Sequence, residues 1–248
     1  MRTLLTIPVY NEEGQLGHVL ERSLPYAEDI LVVDDGSTDG TLDILKDFPS
    51  VKLHQHAQNR GYGAALRSAF AYGCEHGYDV VVTMDSDGQH EPDLIPRLVK
   101  ASKDADIVSG SRYLATFDED TPAPKDRRRI NLLITDQLNA CLGLQLTDTF
   151  CGFKAYTRSA LEKLHLTEDG YSMPLELWVQ AACHKLTIVE VAVPRVYLDP
   201  SRSFGETLDD SDARMEYYQR TLDRAIAVAR RRVGCGLELR PRLQEANR

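Results

Sequence analysis

The sequence is short of the features that mark several large protein classes. No apolar run approaches the roughly 20 residues that a membrane-crossing helix needs. The opening Met1-Arg2-Thr3-Leu4-Leu5-Thr6-Ile7-Pro8 runs straight into what reads as a core strand, without the long apolar region and small-residue cleavage site of a signal peptide. Cysteine is sparse and unpatterned. Cys74, Cys141, Cys151, Cys183 and Cys235 are odd in number and contain no C-x-x-C pair, which argues against a disulfide framework or zinc site and for free thiols in a reducing cytoplasm. Positive charge is in deficit: 29 Lys and Arg face 38 Asp and Glu, for a formal net charge of -9. Duplex nucleic acid is bound by neutralising its phosphates, so no nucleic-acid partner is expected. There is no G-x-x-x-x-G-K-[ST] phosphate loop, no G-x-G-x-x-G fingerprint, no G-x-S-x-G elbow and no Ser-His-Asp ordering. The histidines, His54, His56, His90, His165 and His184 among them, show no metal-ligand spacing on one element, and most of them read as surface residues.

What is present is an alternation. The 248 residues, 42% hydrophobic and 27% charged, have the balance of an ordinary globular protein and can bury one large α/β core. Short apolar runs occupy Leu4 to Val9, Ile30 to Val33, Val51 to Leu53, Val80 to Met84 and Ile107-Val108, with helical stretches near 15–22, 40–47, 62–76 and 92–102. Continuous β-branched runs alternating with helices predict a Rossmann-like, mostly parallel sheet with helices on both faces. Further on, 115–126 reads as an exposed loop, Arg127 to Gly143 as a helix with a basic start, Met173 to His184 as another helix, and Thr187 to Val193 as a strand. From Ser211 to Val233 a last helix sets Met215, Tyr218, Leu222, Ile226, Ala229 and Val233 on one face and Arg220, Arg224, Arg230 and Arg231 on the other. Residues 1–233 are expected to form a single domain, and 234–248 a polar, frayed tail.

Acids cluster beyond the carboxyl ends of the strands, where open α/β sheets bind ligands. Asp85-Ser86-Asp87 follows the fourth run directly. Two carboxylates at this spacing can share one Mg2+ or Mn2+ and bridge it to a substrate's phosphates, with Gln89 adding a neutral oxygen. A solvated turn would use the same residue types. A calcium loop does not fit, because counting from Asp85 puts His90 at the sixth place and Pro96 at the twelfth, where Gly and Glu are required. Asp34-Asp35 ends the second run; adjacent like charges need a partner, and a ribose or base N–H would serve. Asp39 can instead cap the helix near Thr41. Asn59-Arg60-Gly61-Tyr62-Gly63 is a glycine-containing helix entry that could approach a phosphate. Arg112, after Ser109-Gly110-Ser111, is placed to clamp one.

Taken in order, Pro8-Val9-Tyr10-Asn11-Glu12, Val33-Asp34-Asp35-Gly36-Ser37-Thr38-Asp39-Gly40-Thr41, Met84-Asp85-Ser86-Asp87-Gly88-Gln89-His90, Gly110-Ser111-Arg112-Tyr113 and Asp148-Thr149-Phe150-Cys151-Gly152-Phe153-Lys154 resemble glycosyltransferase family 2. Within it they are most similar to the dolichyl-phosphate mannosyltransferase-like, polyprenyl-phosphate sugar synthase group. The resemblance spans roughly residues 3–208 and implies a GT-A fold and an inverting transfer from a GDP- or UDP-sugar, with polyprenyl phosphate as the expected acceptor. It also implies roles. Pro8, Tyr10, Glu12, Val33 and Asp35 would hold the nucleoside. Asp85, Asp87 and Gln89 would hold Mg2+ or Mn2+ on the diphosphate, with Ser86 touching the donor. Arg112 and Arg202 would neutralise the leaving diphosphate.

Departures from the group's pattern fall on the acceptor and phosphate side. Leu208 stands where the group has Lys, Asn131 and Cys151 where it has Ser, and Lys154 where it has Arg. Lys154 could make good the charge missing at Leu208, and Arg202 through Leu208 reads as a flap over the donor, hinged at Gly205 with Phe204 excluding water. A phosphate acceptor needs no general base. A hydroxyl acceptor would, with Asp148 or Glu176 the candidates. The remaining alternatives are a nucleotide-sugar-binding protein without turnover, against which the intact acidic motif speaks, and a sugar nucleotidyltransferase, whose glycine-rich N-terminal loop is absent. The expected location is the cytoplasm, with at most peripheral contact at the inner face of the membrane through Arg127, Arg128 and Arg129.

Overall fold

The computed structural model describes residues 1–198 and 206–231. Seven strands, β1 (Thr3–Val9), β2 (Asp29–Asp34), β3 (Lys52–Gln55), β4 (Val80–Thr83), β5 (Ile107–Ser111), β6 (Lys154–Thr157) and β7 (Ile188–Ala192), form one sheet in the order β3-β2-β1-β4-β6-β5-β7. Every pairing is parallel except those of β6, which runs antiparallel to both β4 and β5. The mostly parallel sheet is as expected. Strand β6 was not legible, because Lys-Ala-Tyr-Thr is four residues long and has neither alternation nor a β-branched run.

The helices are α1 (Leu16–Ser23), α2 (Thr41–Ile44), α3 (Tyr62–Glu75), α4 (Ile95–Ala101), α5 (Lys125–Leu142), α6 (Arg158–Leu161), α7 (Met173–Cys183), α8 (Glu206–Asp209) and α9 (Ser211–Arg231). Strand side chains alternate between the two faces of the sheet. Leu5, Ile7, Ile30, Val32 and Val82 pack with Leu16 and Leu20 of α1 and Leu98 of α4. On the opposite face Leu4, Leu31 and Val33 pack with Ala65 and Ala69 of α3. Farther along that face, Val81, Ile107 and Tyr156 meet Ile134 and Leu138 of α5, Trp178 of α7 and Leu222 of α9. Helix α5 stops at Gly143, whose left-handed φ of 69° turns the chain where a side chain would be strained. Of the apolar face expected on α9, Tyr218, Leu222 and Ala229 are buried, Met215 and Ile226 are half-buried against the same core, and Val233 lies outside the described residues.

Two expectations need correction. Cys74, Cys141 and Cys151 are free, but Cys183 is disulfide-bonded, its partner lying outside the described residues. An odd cysteine count argues against a full framework and says nothing about a single bridge. His56 and His90 are buried, at 5% and 8% exposure, although most of the histidines were expected at the surface. Their partners come from distant parts of the chain. Arg202, Phe204 and Gly205 of the expected flap, and the tail 234–248, lie outside the described residues. No helix among the described residues is long and apolar enough to cross a membrane.

Candidate active site

A cavity of about 260 Å3 opens beyond the carboxyl ends of β1, β2, β4 and β5. Pro8, Tyr10 and Glu12 line it from the end of β1, Asp35 from β2, and Tyr62 and Ala65 from α3. Asp85, Ser86, Asp87 and Gln89 line it after β4, and Arg112 after β5. Arg127, Asn131, Phe150, Tyr171, Arg214 and Tyr218 close the side formed by α5, α7 and α9. The structure thus gathers most of the residues expected at a donor site. Val33 is the exception on the nucleoside side: it is fully buried in the core against α3 and does not line the cavity.

Many motif residues serve the loops themselves. The Asn11 side chain accepts from Thr38 N at 2.8 Å, and Asn11 N donates to Ser37 Oγ at 2.9 Å. Glu12 N donates to Thr41 Oγ1 at 2.8 Å, and Gly40 N donates to Glu13 Oε2 at 2.7 Å. The two strand-end loops are therefore laced together, holding Tyr10 and Glu12 beside Asp35. Asp39 accepts from Thr41 N at 3.0 Å, in keeping with its capping reading. The adjacent acids find partners inside the protein. Asp34 accepts from Ser37 N at 3.1 Å, while Asp35 accepts from Arg60 N at 3.0 Å and Gly61 N at 2.7 Å and contacts His56 Nδ1 at 2.6 Å. The other nitrogen of His56 lies 2.8 Å from Ser68 Oγ. So the Asn59–Gly63 entry holds Asp35 in place. Gly61, at φ 104°, also lies where a side chain would overlap the Asp169 carbonyl.

In the acidic loop after β4, Tyr62 Oη donates to Asp85 Oδ1 at 2.9 Å, and Asp85 N donates to His90 Nδ1 at 3.2 Å. That leaves the ring proton of His90 on Nε2, which faces Asp85 Oδ2 at 3.8 Å and Cys151 Sγ at 4.0 Å. Asp87 Oδ1 accepts from Gln89 N at 3.1 Å. The donor set of two carboxylates and a neutral amide oxygen suits a hard divalent ion. Among the described residues no three His, Cys, Asp or Glu side chains stand together as a complete metal cage, so such an ion would draw its other ligands from a diphosphate and water. Gly152 sets the Asp85 carboxylate from below: a Cβ there would overlap both carboxylate oxygens and Cγ. Gly152→Ala is therefore expected to displace Asp85 and weaken Mn2+-dependent nucleotide binding about tenfold or more, since one lost charge-assisted contact contributes roughly 1.5–3 kcal/mol. Calorimetric titration of the variant checks this, and parent-like affinity would mean that the carboxylate has room to move.

Arg112 and Asp148 form the central ion pair. Arg112 Nε and Nη2 donate to the two oxygens of Asp148 at 2.7 and 2.9 Å, and Arg112 N adds a third bond at 3.2 Å. Asp148 Oδ1 also accepts from Asn131 Nδ2 at 2.8 Å and from Phe150 N at 3.2 Å. Burial alone would raise the Asp148 pKa; the Arg112 charge, with hydrogen bonds from Arg112 and Asn131, outweighs burial and holds it at about 2. A fully buried, multiply bonded carboxylate outside the cavity lining is a poor general base. Asp148 is a support that aims Arg112. Glu176 is also placed elsewhere: it accepts from Thr167 N and Glu168 N at 2.7 Å each, closing the turn before α7, and does not line the cavity. Lys154 is buried with its ammonium on the Cys151 carbonyl, so it does not supply a cation at Leu208. The run Arg127-Arg128-Arg129 fans out around α5. Arg127 lines the cavity, Arg128 sits 3.5 Å over the Tyr113 ring, and Arg129 is exposed. Successive helix residues point about 100° apart, so one basic run meets three environments.

The sequence reading missed His56, His90, Tyr62 and Arg214 as parts of the site. His90 and Tyr62 stood within quoted motifs, while His56 carried no local signal and Arg214 only a weak one. Arg214 sits on the α9 stripe that continues as Tyr218 and Leu222, and helical spacing alone pointed it inward.

Comparison with known proteins agrees with this geometry. The undecaprenyl-phosphate mannosyltransferase of Micrococcus luteus is 36% identical over 217 residues, covering 84% of this chain and 87% of that protein. The polyprenol monophosphomannose synthase of Mycolicibacterium smegmatis is 35% identical over 206 residues, covering 77% and 76%. Among solved structures, glucosyl-3-phosphoglycerate synthase of Mycobacterium tuberculosis, in complex with Mn2+, UDP and glucosyl-3-phosphoglycerate, superposes with a TM-score of 0.69 over 95% of this chain and 80% of that one. At 20% identity that likeness speaks for the GT-A fold alone. The family model described as glycosyl transferase family 2 matches residues 5–165, the stretch that carries the acidic loops, Arg112 and Asp148, and the chain belongs to that family.

Proposed function

We propose that this glycosyltransferase transfers a sugar, with inversion, from a GDP- or UDP-sugar to a polyprenyl phosphate, using Mg2+ or Mn2+. The observation that carries the acceptor class is the state of the two candidate bases. Asp148 is spent on Arg112, Asn131 and Phe150, and Glu176 on the 167–168 turn. A hydroxyl acceptor would have to lose a proton, whereas a phosphate oxygen attacks as it stands. The mannosyltransferase and phosphomannose synthase named above act, by their names, on the same acceptor class.

In this reading the nucleoside lies against Pro8, Tyr10, Glu12 and Asp35, and its diphosphate lies between the Asp85–Gln89 loop and Arg112. The acceptor oxygen bonds to the anomeric carbon from the face opposite the leaving group, as the bond from that carbon to the diphosphate breaks. Arg112, preset by Asp148, meets the negative charge that grows on the diphosphate, with no reorganisation at the moment of reaction. Asp85, Asp87 and Gln89 would hold the divalent ion, which when bound supplies further positive charge to the same oxygens. Access to a membrane-borne acceptor is supported by the outer face of α5, where Lys125, Arg129, Leu132 and Leu133 are exposed beside the cavity wall.

The test offers sugar-labelled GDP- and UDP-sugars with Mn2+ and undecaprenyl phosphate, and counts label in the organic phase. One donor is expected to give lipid-linked label. Label that reaches only a water-soluble hydroxyl acceptor would overturn the acceptor assignment.

A further inference from the structure

A chain of three polar side chains, Asp35, His56 and Ser68, runs from the cavity wall back to α3. Strand β3 ends at Gln55, and His56 N donates to the Asp34 carbonyl at 2.8 Å, which continues the β2–β3 ladder to the residue after β3. His56 therefore stands beside Asp35 on the neighbouring strand end. It is buried and does not line the cavity, whereas Asp35, 3% exposed, does. His56 Nδ1 lies 2.6 Å from Asp35 Oδ1, and His56 Nε2 lies 2.8 Å from Ser68 Oγ. A carboxylate only accepts, so the proton of the first contact is on Nδ1. The Ser68 hydroxyl donates or accepts as required and suits Nε2 in either state of the ring. The donors to Asp35 can then be counted. Oδ1 accepts from His56 and from Arg60 N at 3.0 Å, which uses both its lone pairs. Oδ2 accepts from Gly61 N at 2.7 Å, and among the described residues that leaves it one open acceptor position at the cavity.

We infer that His56, tethered by Ser68, is a positioning residue that turns Asp35 so that its open acceptor meets an N–H or O–H of the donor's nucleoside. This rests on the place given to the nucleoside in the proposed function, and it assigns part of the grip on that nucleoside to two residues that do not line the cavity. The last torsion of an aspartate is broad, so its partners decide how the carboxylate is turned. Arg60 N and Gly61 N both come from one segment, the entry to α3. His56 comes from β3 and supplies the third point that stops the carboxylate from pivoting. Ser68 is on the helix that Gly61 caps, so α3 holds the backbone donors and the tether of the ring at a fixed separation. A carboxylate aimed in advance loses no freedom when the nucleoside arrives, and affinity gains by that saving.

The experiment titrates the parent, His56→Leu, His56→Asn and Ser68→Ala by calorimetry with UDP, with GDP and with inorganic pyrophosphate, each in the presence of Mn2+. Asparagine brings an amide N–H close to the place of the ring Nδ1–H and restores a donor to Asp35; leucine brings none. For the nucleotide that the parent binds more tightly, His56→Leu should weaken affinity about tenfold to a hundredfold and Ser68→Ala by less, and His56→Asn should recover most of the loss. Pyrophosphate carries no nucleoside, so its affinity should stay near the parent value in all three variants. Unchanged nucleotide affinity in His56→Leu would overturn the role of His56. Equal losses for nucleotide and pyrophosphate would overturn it as well, since His56 would then support the whole cavity and not Asp35. A His56→Asn variant no better than His56→Leu would assign the effect to packing of the ring and not to its N–H. Parent-like affinity in Ser68→Ala would overturn the tether. A parent that binds both nucleotides no better than pyrophosphate would overturn the nucleoside site itself, a failure seen in the parent before any variant is compared.

Discussion

Asp148→Asn is expected to lower unfolding stability by about 3–5 kcal/mol at neutral pH, the range for breaking one side of a buried ion pair. The carboxylate is fully buried, and donors converge on both its oxygens: Arg112 Nε and N on one, Arg112 Nη2, Asn131 Nδ2 and Phe150 N on the other. An amide of the same shape removes the charge and turns an NH2 toward one of those donor sets. The Arg112 charge, whose side chain is 17% exposed, is then left without its counterion. The effect carries a pH signature. Asp148 titrates at about 2 in the folded protein, below the roughly 3.9 of an unfolded Asp. A depressed pKa contributes stability that is fully present above about pH 4 and is lost as pH falls through about 2. Urea midpoints of parent and variant should therefore stay far apart from pH 7 down to about pH 4 and converge below it. A constant gap at every pH would mean that packing, and not the charge, accounts for the loss. Transfer should fall as well, because Arg112 loses the fork that aims it.

How much of this was legible in the sequence depended on how far a residue's role is carried by its neighbours in the chain. Four of the first five strands were found from apolar, largely β-branched runs ended by acids or small polar residues, since such a run has few other uses; the third, Val51-Lys52-Leu53, gave a weaker signal. The acids at those ends could be placed at the cavity because parallel sheets present one end to ligands. Strand β6 lacked such a run, and its antiparallel insertion between β4 and β5 rests on long-range pairing of Ala155 with Val82 and Val108. Asp148 was seen, but as a base. Its real partner is Arg112, 36 residues away, and burial and bonding decide what a carboxylate does. Val33 was given a nucleoside contact by resemblance, yet alternation along β2 turns its side chain to the α3 face while Asp35, two residues on and past the strand end, lines the cavity. The same limit hid His56, which reaches Asp35 across 21 residues of sequence. Arg214 was hidden because a basic residue on an amphipathic helix ordinarily belongs to the solvated face.

Asp87→Ala is expected to reduce transfer by at least about two orders of magnitude while leaving the fold intact. The loss follows from the several kcal/mol that a bound divalent ion contributes to charge developing in the transition state, at about 1.4 kcal/mol per tenfold in rate. The fold should survive because Asp87 lies outside the core: it follows β4 in a loop, lines the cavity, and accepts from Gln89 N in a turn that a water can replace. Loop substitutions of this kind usually change stability by no more than about 0.5 kcal/mol. Asp85 would be the poorer choice for this test, since its carboxylate also holds Tyr62 and packs against Gly152, so that its removal disturbs the cavity floor as well as the ion. The measurement pairs the transfer rate with Mn2+ affinity in the presence of the nucleoside diphosphate and with the urea midpoint. Loss of rate and of Mn2+ affinity at a parent-like midpoint supports the assignment of Asp87 to the ion. Parent-like turnover in Asp87→Ala, or a parent enzyme indifferent to EDTA, would show that Arg112 and its neighbours meet the diphosphate charge without a metal, and the acidic loop would then have to be assigned to the sugar.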